Sequence, residues 1–211
     1  DFGKEESQAL YEYMNSGGWV TEFKKTKDFE NEIAKFTSTN NCIVTNNGTI
    51  SLTLAALACG IGHGDEIIVP NYTMIATPNS VKMIGAKPIF VDVENETLCL
   101  DIELVEKAIN DKTKAIIFVN ANGRYPTVGI GAFEELCKKN GLILIEDAAQ
   151  ALGSYYPDGR HMGTVGHVGS FSFSAPKIIS TGQGGALVTN NNSISKKIRK
   201  LKDFGRTSGG N

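Results

Sequence analysis

Short apolar runs alternate with segments of helical periodicity along the chain from residue 42 onward. The runs are apolar on both faces, which is typical of strands in a sheet that is covered by helices on both sides. They predict strands over residues 42–45, 66–69, 87–91, 115–119, 142–145, 168–173 and 185–189. The periodic segments predict helices over residues 49–59, 77–85 and 132–139. Two more helices are predicted, one that starts directly after Asp101 and one around residues 194–202.

Local signals set the ends of several predicted helices. Thr77 is interpreted as an N-cap before Pro78 at the first helical position, and Asp101 as a second N-cap. Gly85 and Gly141 follow the last periodic residues of two helices, where a left-handed residue ends a helix at low cost.

The predicted helix around residues 194–202 has a strongly basic face, formed by Lys196, Lys197, Arg199, Lys200 and Lys202. Ile194, Ile198 and Leu201 form its apolar stripe and are expected to be buried. We interpret the basic face as solvated rather than as an anion-binding patch.

These elements predict an α/β protein, a three-layer α/β/α sandwich with a mixed, mainly parallel sheet. The last two strands are joined by a glycine-rich turn, so one of them is expected to run antiparallel to some strands. Residues 1–40 are interpreted as an N-terminal helical segment, with helices near residues 7–15 and 28–36, and residues 41–211 as the main domain. The loop composition of residues 207–211 directly after a helix indicates a chain that continues.

Composition narrows the function classes. The 211 residues carry 21 Lys and Arg against 23 Asp and Glu, a net charge of −2, which argues against a nucleic-acid partner. No apolar run approaches the roughly 20 residues of a membrane span, so no membrane association is expected. The four cysteines lack metal-ligand or CxxC spacing, which predicts reduced core thiols, a cytoplasmic location and no metal site.

The turn after the first predicted strand reads Asn46-Asn47-Gly48-Thr49. The amides of Gly48, Thr49 and Ile50 at a helix start, together with the helix dipole, are suited to bind a phosphate. The alternative is an ordinary capped helix start.

Two further residues carry candidate chemistry. Asp147 follows a buried strand, where a carboxylate needs either a structural partner or a ligand cation. Lys177 lies between an alternating strand and a glycine-rich turn, and its neighbours Ile178 and Ile179 are expected to limit its hydration and favour an amine nucleophile. A solvated surface lysine is the alternative. A phosphate cradle, an Asp and a Schiff-base lysine are together the set that pyridoxal 5′-phosphate (PLP) requires.

Several motifs extend this set, namely Asn47-Gly48-Thr49, residues 69–73 (VPNYT), 85–92 (GAKPIFVD) and 146–151 (EDAAQA), and residues 170–173 (SFSF) through Lys177 to Gly184-Gly185. In this order they resemble the DegT/DnrJ/EryC1/StrS sugar aminotransferases, in particular the perosamine synthase-like members. The resemblance implies the large domain of a fold-type-I PLP enzyme and a smaller C-terminal domain outside this chain.

The resemblance also implies roles for single residues. Lys177 would form the Schiff base with PLP and transfer the proton, and Asp147 would pair with the pyridine nitrogen. The other implied cofactor contacts are Gln150 to the ring hydroxyl, Gly48, Thr49 and Ser172 to the phosphate, and Met74 or Tyr72 over the ring.

The implied reaction transfers an amino group from an amino acid, glutamate in the family, to a nucleotide-linked keto sugar. A homodimer with shared active sites is implied as well. The loop Asn120-Ala121-Asn122-Gly123 departs from the family's usual His-x-Tyr-Gly, which leaves the sugar open. Two alternatives are a PLP-dependent sugar dehydratase, which carries histidine where Lys177 stands, and a non-catalytic or regulatory protein of the same fold.

Overall fold

The structure, a computed structural model, describes residues 2–17 and 24–206. Its helices are α1 (Lys4–Asn15), α2 (Lys24–Phe36), α3 (Gly48–Ala58), α4 (Ala76–Met83), α5 (Ile102–Ala108), α6 (Ile130–Asn140) and α7 (Asn192–Lys202), with a 3-10 turn at Ala121–Gly123. Its strands are β1 (Asn41–Thr45), β2 (Glu66–Pro70), β3 (Lys87–Val91), β4 (Thr113–Val119), β5 (Ile143–Asp147), β6 (Val168–Ser172) and β7 (Gly185–Thr189).

The seven strands form one sheet in the order β1-β7-β6-β5-β4-β2-β3. Strand β7 runs antiparallel to both of its neighbours, β1 and β6, and the other strand pairs are parallel. All strands except β7 therefore end at the same edge of the sheet, where ligands bind in open α/β folds. The predicted mixed, mainly parallel sheet is confirmed.

Helices cover both faces of this sheet. One apolar cluster packs α3, α4 and α7 against one face, through residues such as Leu52, Val81 and Ile198. A second cluster packs α2, α5 and α6 against the other face, through residues such as Ile33, Val105 and Phe133. The inner strands are largely apolar on both sides because most of their side chains enter one of the two cores, whereas Phe90 on the edge strand β3 is 56% exposed. The three-layer α/β/α sandwich is thus confirmed.

The N-cap prediction at Thr77 is wrong. Helix α4 begins at Ala76, after Ile75, and Thr77 lies inside the helix with its side chain completely buried. Its hydroxyl donates to the side chain of Asp147 on β5 and does not bond to the helix backbone. Asp101, in contrast, does cap α5, since its carboxylate accepts hydrogen bonds from the amides of Glu103 and Leu104.

Helix α7 differs from its prediction in two ways. Leu201 is 45% exposed, so the buried stripe is reduced to Ile194 and Ile198. The basic face is not entirely solvated, because Arg199 contacts the Glu30 carboxylate at 3.0 Å and the Cys42 carbonyl at 3.0 Å. Lys202 donates to the Val44 carbonyl at 2.6 Å. These bonds attach α7 to β1 and α2.

Gly185 lies between the ends of β1 and β6, where it pairs with Thr45 on one side and Ser172 on the other. A Cβ atom at this position would lie 2.5 Å from the Asn47 carbonyl carbon and 2.7 Å from the Ser51 hydroxyl oxygen. Only glycine therefore allows the start of α3 to approach β7 this closely.

The predicted loop at residues 207–211 lies outside the described residues. Within the described chain, no helix is both long and apolar enough to cross a membrane.

Candidate functional site

A cavity of about 920 Å³ opens at the edge of the sheet where the parallel strands end. Its lining includes all seven predicted site residues, Gly48, Thr49, Met74, Asp147, Gln150, Ser172 and Lys177. They come from the starts of α3 and α4, from the ends of β5 and β6, and from the segment after β6. The fold thus brings together residues that are separated by as much as 129 positions, from Gly48 to Lys177.

The start of α3 presents backbone amides to the cavity. Asn47 caps the helix, and its side-chain oxygen accepts from the amide of Ile50 at 2.9 Å. The prediction that Ile50 contributes a free amide is therefore wrong. The amides of Gly48 and Thr49 have no hydrogen-bond partner among the described residues. Two unpaired donors at the positive end of an 11-residue helix form a site for an anion.

Ser172 completes this anion cradle from the end of β6. A Cβ atom added to Gly48 would lie 3.0 Å from the Ser172 Cβ, so the two residues are in direct contact. The Ser172 hydroxyl lies 3.3 Å from the Ser174 hydroxyl. Gly48, Thr49, Ser172 and Ser174 all line the cavity.

Asp147 ends β5 with its side chain buried against α4. Its Oδ2 accepts from the Thr77 hydroxyl at 2.7 Å, and its Oδ1 accepts from the Ala149 amide at 3.2 Å. It takes part in none of the salt bridges found within residues 2–17 and 24–206. Burial raises the pKa of Asp147, and the Thr77 and Ala149 hydrogen bonds and the charge of Lys177 oppose that rise. A cation bound beside Asp147 would stabilise the ionised form.

Lys177 lines the same cavity and is half-buried. Its amide donates to the Ser174 carbonyl at 3.0 Å, which fixes the backbone in a turn. The prediction that Ile178 and Ile179 shield it is wrong, because these side chains are 71% and 41% exposed. Lys177 thus reaches the cavity without cover from the flanking isoleucines.

Met74, Tyr72 and Gln150 form the outer part of the cavity. Met74 and Tyr72 are 65% and 49% exposed, so both are available to cover a flat ligand. The Met74 sulfur accepts from the Ala76 amide at 3.2 Å, which directs this side chain back toward α4. The Gln150 side-chain oxygen accepts from the Asn122 amide at 3.0 Å and joins the loop after β4 to the site.

Glu146, the residue before Asp147, points to the opposite face of the sheet, as predicted. It is completely buried and accepts four hydrogen bonds, from the Tyr156 hydroxyl and from the amides of Gly163, Val165 and Gly166. Burial raises the pKa of Glu146, and these four donors oppose the rise. Tyr156 accepts in turn from the Asn120 side chain at 2.8 Å. This network supports β5 from behind the cavity.

The hydrogen bonds of Thr77, Tyr156 and Asn120 around the two carboxylates were not predicted from the sequence. A hydroxyl two residues into a helix resembles a capping residue, and only the packing of α4 on β5 turns it toward Asp147. The one sequence signal for such hydrogen-bond donors was the presence of Asp147 and Glu146 in a buried strand, since buried carboxylates require donors.

The cavity fits PLP on three observations. Its unpaired Gly48 and Thr49 amides suit the phosphate, its buried Asp147 carboxylate lacks a cation and suits the protonated ring nitrogen, and Lys177 offers an amine in the same cavity. Its volume lies within the range of about 300–1,000 Å³ that is common for ligand sites.

The cysteines lie away from this chemistry. Cys42, Cys99 and Cys137 are buried, Cys59 is half-buried, and all four are free thiols. Burial raises the pKa of Cys42 and Cys137 to about 12, so these thiols are poor nucleophiles at neutral pH. The described residues contain no group of three or more His, Cys, Asp or Glu side chains that could bind a metal ion.

Comparisons with known proteins agree with this geometry. The model of the DegT/DnrJ/EryC1/StrS aminotransferase family matches residues 1–211. GDP-perosamine synthase of Vibrio cholerae is 40% identical over 201 residues, which are 93% of this chain and 54% of that protein. The chain therefore spans about half the length of the curated relatives that it matches.

Solved structures are similar as well. DesV of S. venezuelae superimposes with a TM-score of 0.90 at 36% identity, over 97% of this chain and 54% of that one. A putative sugar aminotransferase of Streptococcus pneumoniae, solved in a PLP form, has a TM-score of 0.88 at 29% identity, over 95% of this chain and 56% of that one.

Proposed function

The chain belongs to the DegT/DnrJ/EryC1/StrS aminotransferase family, and from that premise we propose that its protein transfers an amino group from an amino acid to a nucleotide-linked keto sugar. The observation that supports this most directly is the convergence of Asp147, Lys177 and the amides of α3 in one cavity. The fold-type-I assignment and the PLP cofactor, both predicted from the sequence, are confirmed by the family and its solved members.

When bound, PLP supplies an electron-withdrawing ring that stabilises negative charge on the carbon that loses a proton. The amides of Gly48 and Thr49 and the hydroxyl of Ser172 bind its phosphate in this proposal. Met74 or Tyr72 covers the face of the ring, and Gln150 contacts the ring hydroxyl. These residues fix the orientation of the cofactor, because they hold it at its two ends and on one face.

Asp147 and Lys177 perform the proton chemistry in this proposal. The Asp147 carboxylate keeps a proton on the ring nitrogen, since its burial makes an ion pair there stronger than in water. The amine of Lys177 would hold the cofactor, and it would also serve as the general base and acid that moves the substrate's proton. Its position in the same cavity as Asp147 supports this role.

The substrate class follows from the cavity and the relatives. A cavity of about 920 Å³ is near the upper end of common ligand sites, which supports a second ligand beside the cofactor. The Vibrio cholerae relative is a GDP-perosamine synthase, which supports a nucleotide-linked sugar as the amino acceptor. We propose glutamate as the amino donor.

The test compares Lys177→Ala with Lys138→Ala, an exposed lysine at the end of α6. The purified protein with added PLP is expected to show an absorbance band in the visible range, and Lys177→Ala is expected to lose the band and transamination with a panel of nucleotide-linked 3-keto and 4-keto sugars. Lys138→Ala is expected to retain both. Full transamination by Lys177→Ala would refute the proposed function.

A sugar dehydratase is the second candidate. The family resemblance implies that a dehydratase would carry histidine at the position of Lys177, so the lysine found there supports transamination. The same assays distinguish the two, because a dehydratase releases a deoxygenated sugar without a gain of nitrogen. A protein that binds PLP and converts no sugar in the panel would favour a non-catalytic or regulatory role.

We also propose how this chain is arranged in its protein. Residues 41–211 form the large, cofactor-binding domain and residues 1–40 a helical segment, and a smaller domain completes the length of the relatives. The large apolar side chains exposed on α1, such as Leu10 and Met14, support a homodimer with shared active sites. Four free thiols support a cytoplasmic location.

A further inference from the structure

Three polar side chains form a hydrogen-bonded chain at the cavity wall, which Thr73 and Asp147 line. The Thr73 hydroxyl lies 2.8 Å from the Thr77 hydroxyl, and Thr77 donates to Asp147 Oδ2 at 2.7 Å. Thr77 is completely buried, and Asp147 is 6% exposed. Water therefore does not replace these contacts easily, and each lost bond leaves a buried polar atom without a partner.

The chemistry of the groups fixes the direction of this chain. An ionised carboxylate has no proton to donate, so the Thr77 hydroxyl must donate to Asp147. The single proton of Thr77 is then in use, and Thr73 must donate to the oxygen of Thr77. Both hydroxyls thus point their positive ends toward the carboxylate, an arrangement that favours its charged form.

The backbone holds Thr77 in place independently of Asp147. The Thr77 carbonyl accepts from the Ser80 hydroxyl at 2.7 Å, and the Thr77 amide donates to the Met74 carbonyl at 3.0 Å. Helix α4 therefore presents the hydroxyl in a fixed position. The donor to the Asp147 carboxylate is therefore held by a helix.

We propose that Thr77 is a positioning residue for Asp147, whose hydroxyl, supported by Thr73, orients the carboxylate for the ring nitrogen of the cofactor. This inference rests on the proposed function only in that PLP is the ligand. Asp147 is the group that touches the cofactor, and Thr77 acts through it. Lys177 is the charged side chain whose field also acts on Asp147.

The test measures the dissociation constants of PLP and of its 1-deaza analogue, in which a C–H group replaces the ring nitrogen. Wild type, Thr77→Val, Thr77→Ser and Thr37→Val are compared in the purified, cofactor-free protein. Thr37 is a matched control, since its buried hydroxyl bonds to the Ile33 carbonyl of α2. Valine keeps the shape of threonine and removes only the hydroxyl.

Thr77→Val is expected to weaken PLP binding by about tenfold, because Asp147 loses the donor that orients it and favours its charged form; this is the lower end of what a hydrogen bond to a charged group contributes. The analogue is expected to bind wild type and Thr77→Val alike, because it offers no ring N–H to Asp147. Thr77→Ser should restore PLP affinity, and Thr37→Val should leave it unchanged. Equal weakening of both ligands by Thr77→Val, or no weakening of PLP, would overturn the inference. These constants need no sugar substrate, so they are independent of whether a nucleotide-linked sugar is aminated.

Discussion

Replacing Gly185 by alanine tests the contact that joins β7 to the start of α3. The added Cβ would lie 2.5 Å from the Asn47 carbonyl carbon and 2.7 Å from the Ser51 hydroxyl oxygen, whereas an ordinary contact begins near 3.4 Å. The backbone at Asn47 must therefore move by about 1 Å, and such overpacking costs about 1–3 kcal/mol of unfolding free energy. Because Asn47 is the cap of α3, the same shift displaces the amides of Gly48 and Thr49.

The assay combines urea denaturation with titration of PLP followed by its absorbance. Gly185→Ala is expected to lower the free energy of unfolding and to weaken PLP binding by about tenfold or more, because the anion cradle is displaced. Gly131→Ala is the matched control, since this residue lies inside α6 with no neighbour within 4 Å of the added Cβ. Because Gly131 is the second residue of α6, where helix propensity counts less than in the interior, the change is expected to stabilise the protein by about 0.5 kcal/mol or less and to leave PLP binding unchanged. A Gly185→Ala variant with the stability and affinity of wild type would refute the reasoning.

Two further predictions concern stability. Burial lowers the pKa of His161 below its ordinary value of 6.5, so the stability that the neutral ring contributes is complete above pH 6.5 and is lost as the pH falls toward the lowered pKa. The urea midpoint of wild type should therefore fall between pH 7 and pH 5, and it should fall less steeply in His161→Gln. Equal slopes for the two proteins would contradict this. Arg199→Met leaves the buried Glu30 carboxylate without its cation and should lower the free energy of unfolding, measured by urea denaturation, by about 1–2 kcal/mol. The loss is expected at the lower end of this range because Arg199 is half-exposed. Glu30→Gln in the same chain should recover part of this loss, and no recovery would show that the charge of Glu30 is not the cause.

Most of the fold was predictable because it depends on local patterns. Apolar β-branched runs mark the strands, and the predicted strands over residues 87–91 and 185–189 coincide with β3 at the sheet edge and with the buried β7. The ends of helices were less predictable, because a residue of a capping type caps a helix only if its side chain bonds to the backbone of that helix. Thr77 shows this, since its hydroxyl bonds to Asp147, 70 positions away, and not to its own helix.

The predicted site residues were found from strand ends and from a family resemblance, and the structure places them around one cavity. Their supporting residues were not found, because hydrogen bonds between distant elements leave no periodic pattern. Arg199 resembles any cation on a solvated helix face until α2 brings Glu30 beside it. The exposure of Ile178 was missed for the same reason, since an apolar residue in a loop is buried only if another element covers it.

The antiparallel strand β7 also determines when the site can form during synthesis. Strand β1 lies at the edge of the described sheet and pairs only with β7, so Asn41 meets Thr189 across almost 150 positions of sequence. Contacts this distant in sequence form late, because the loop that they close costs chain entropy before any bond is made. A nascent chain that has not yet reached β7 carries the Gly48 turn without the strand that fixes it. We therefore expect the Gly48 turn, although it precedes β7 by more than 130 residues, to become ordered only after β7 has left the ribosome.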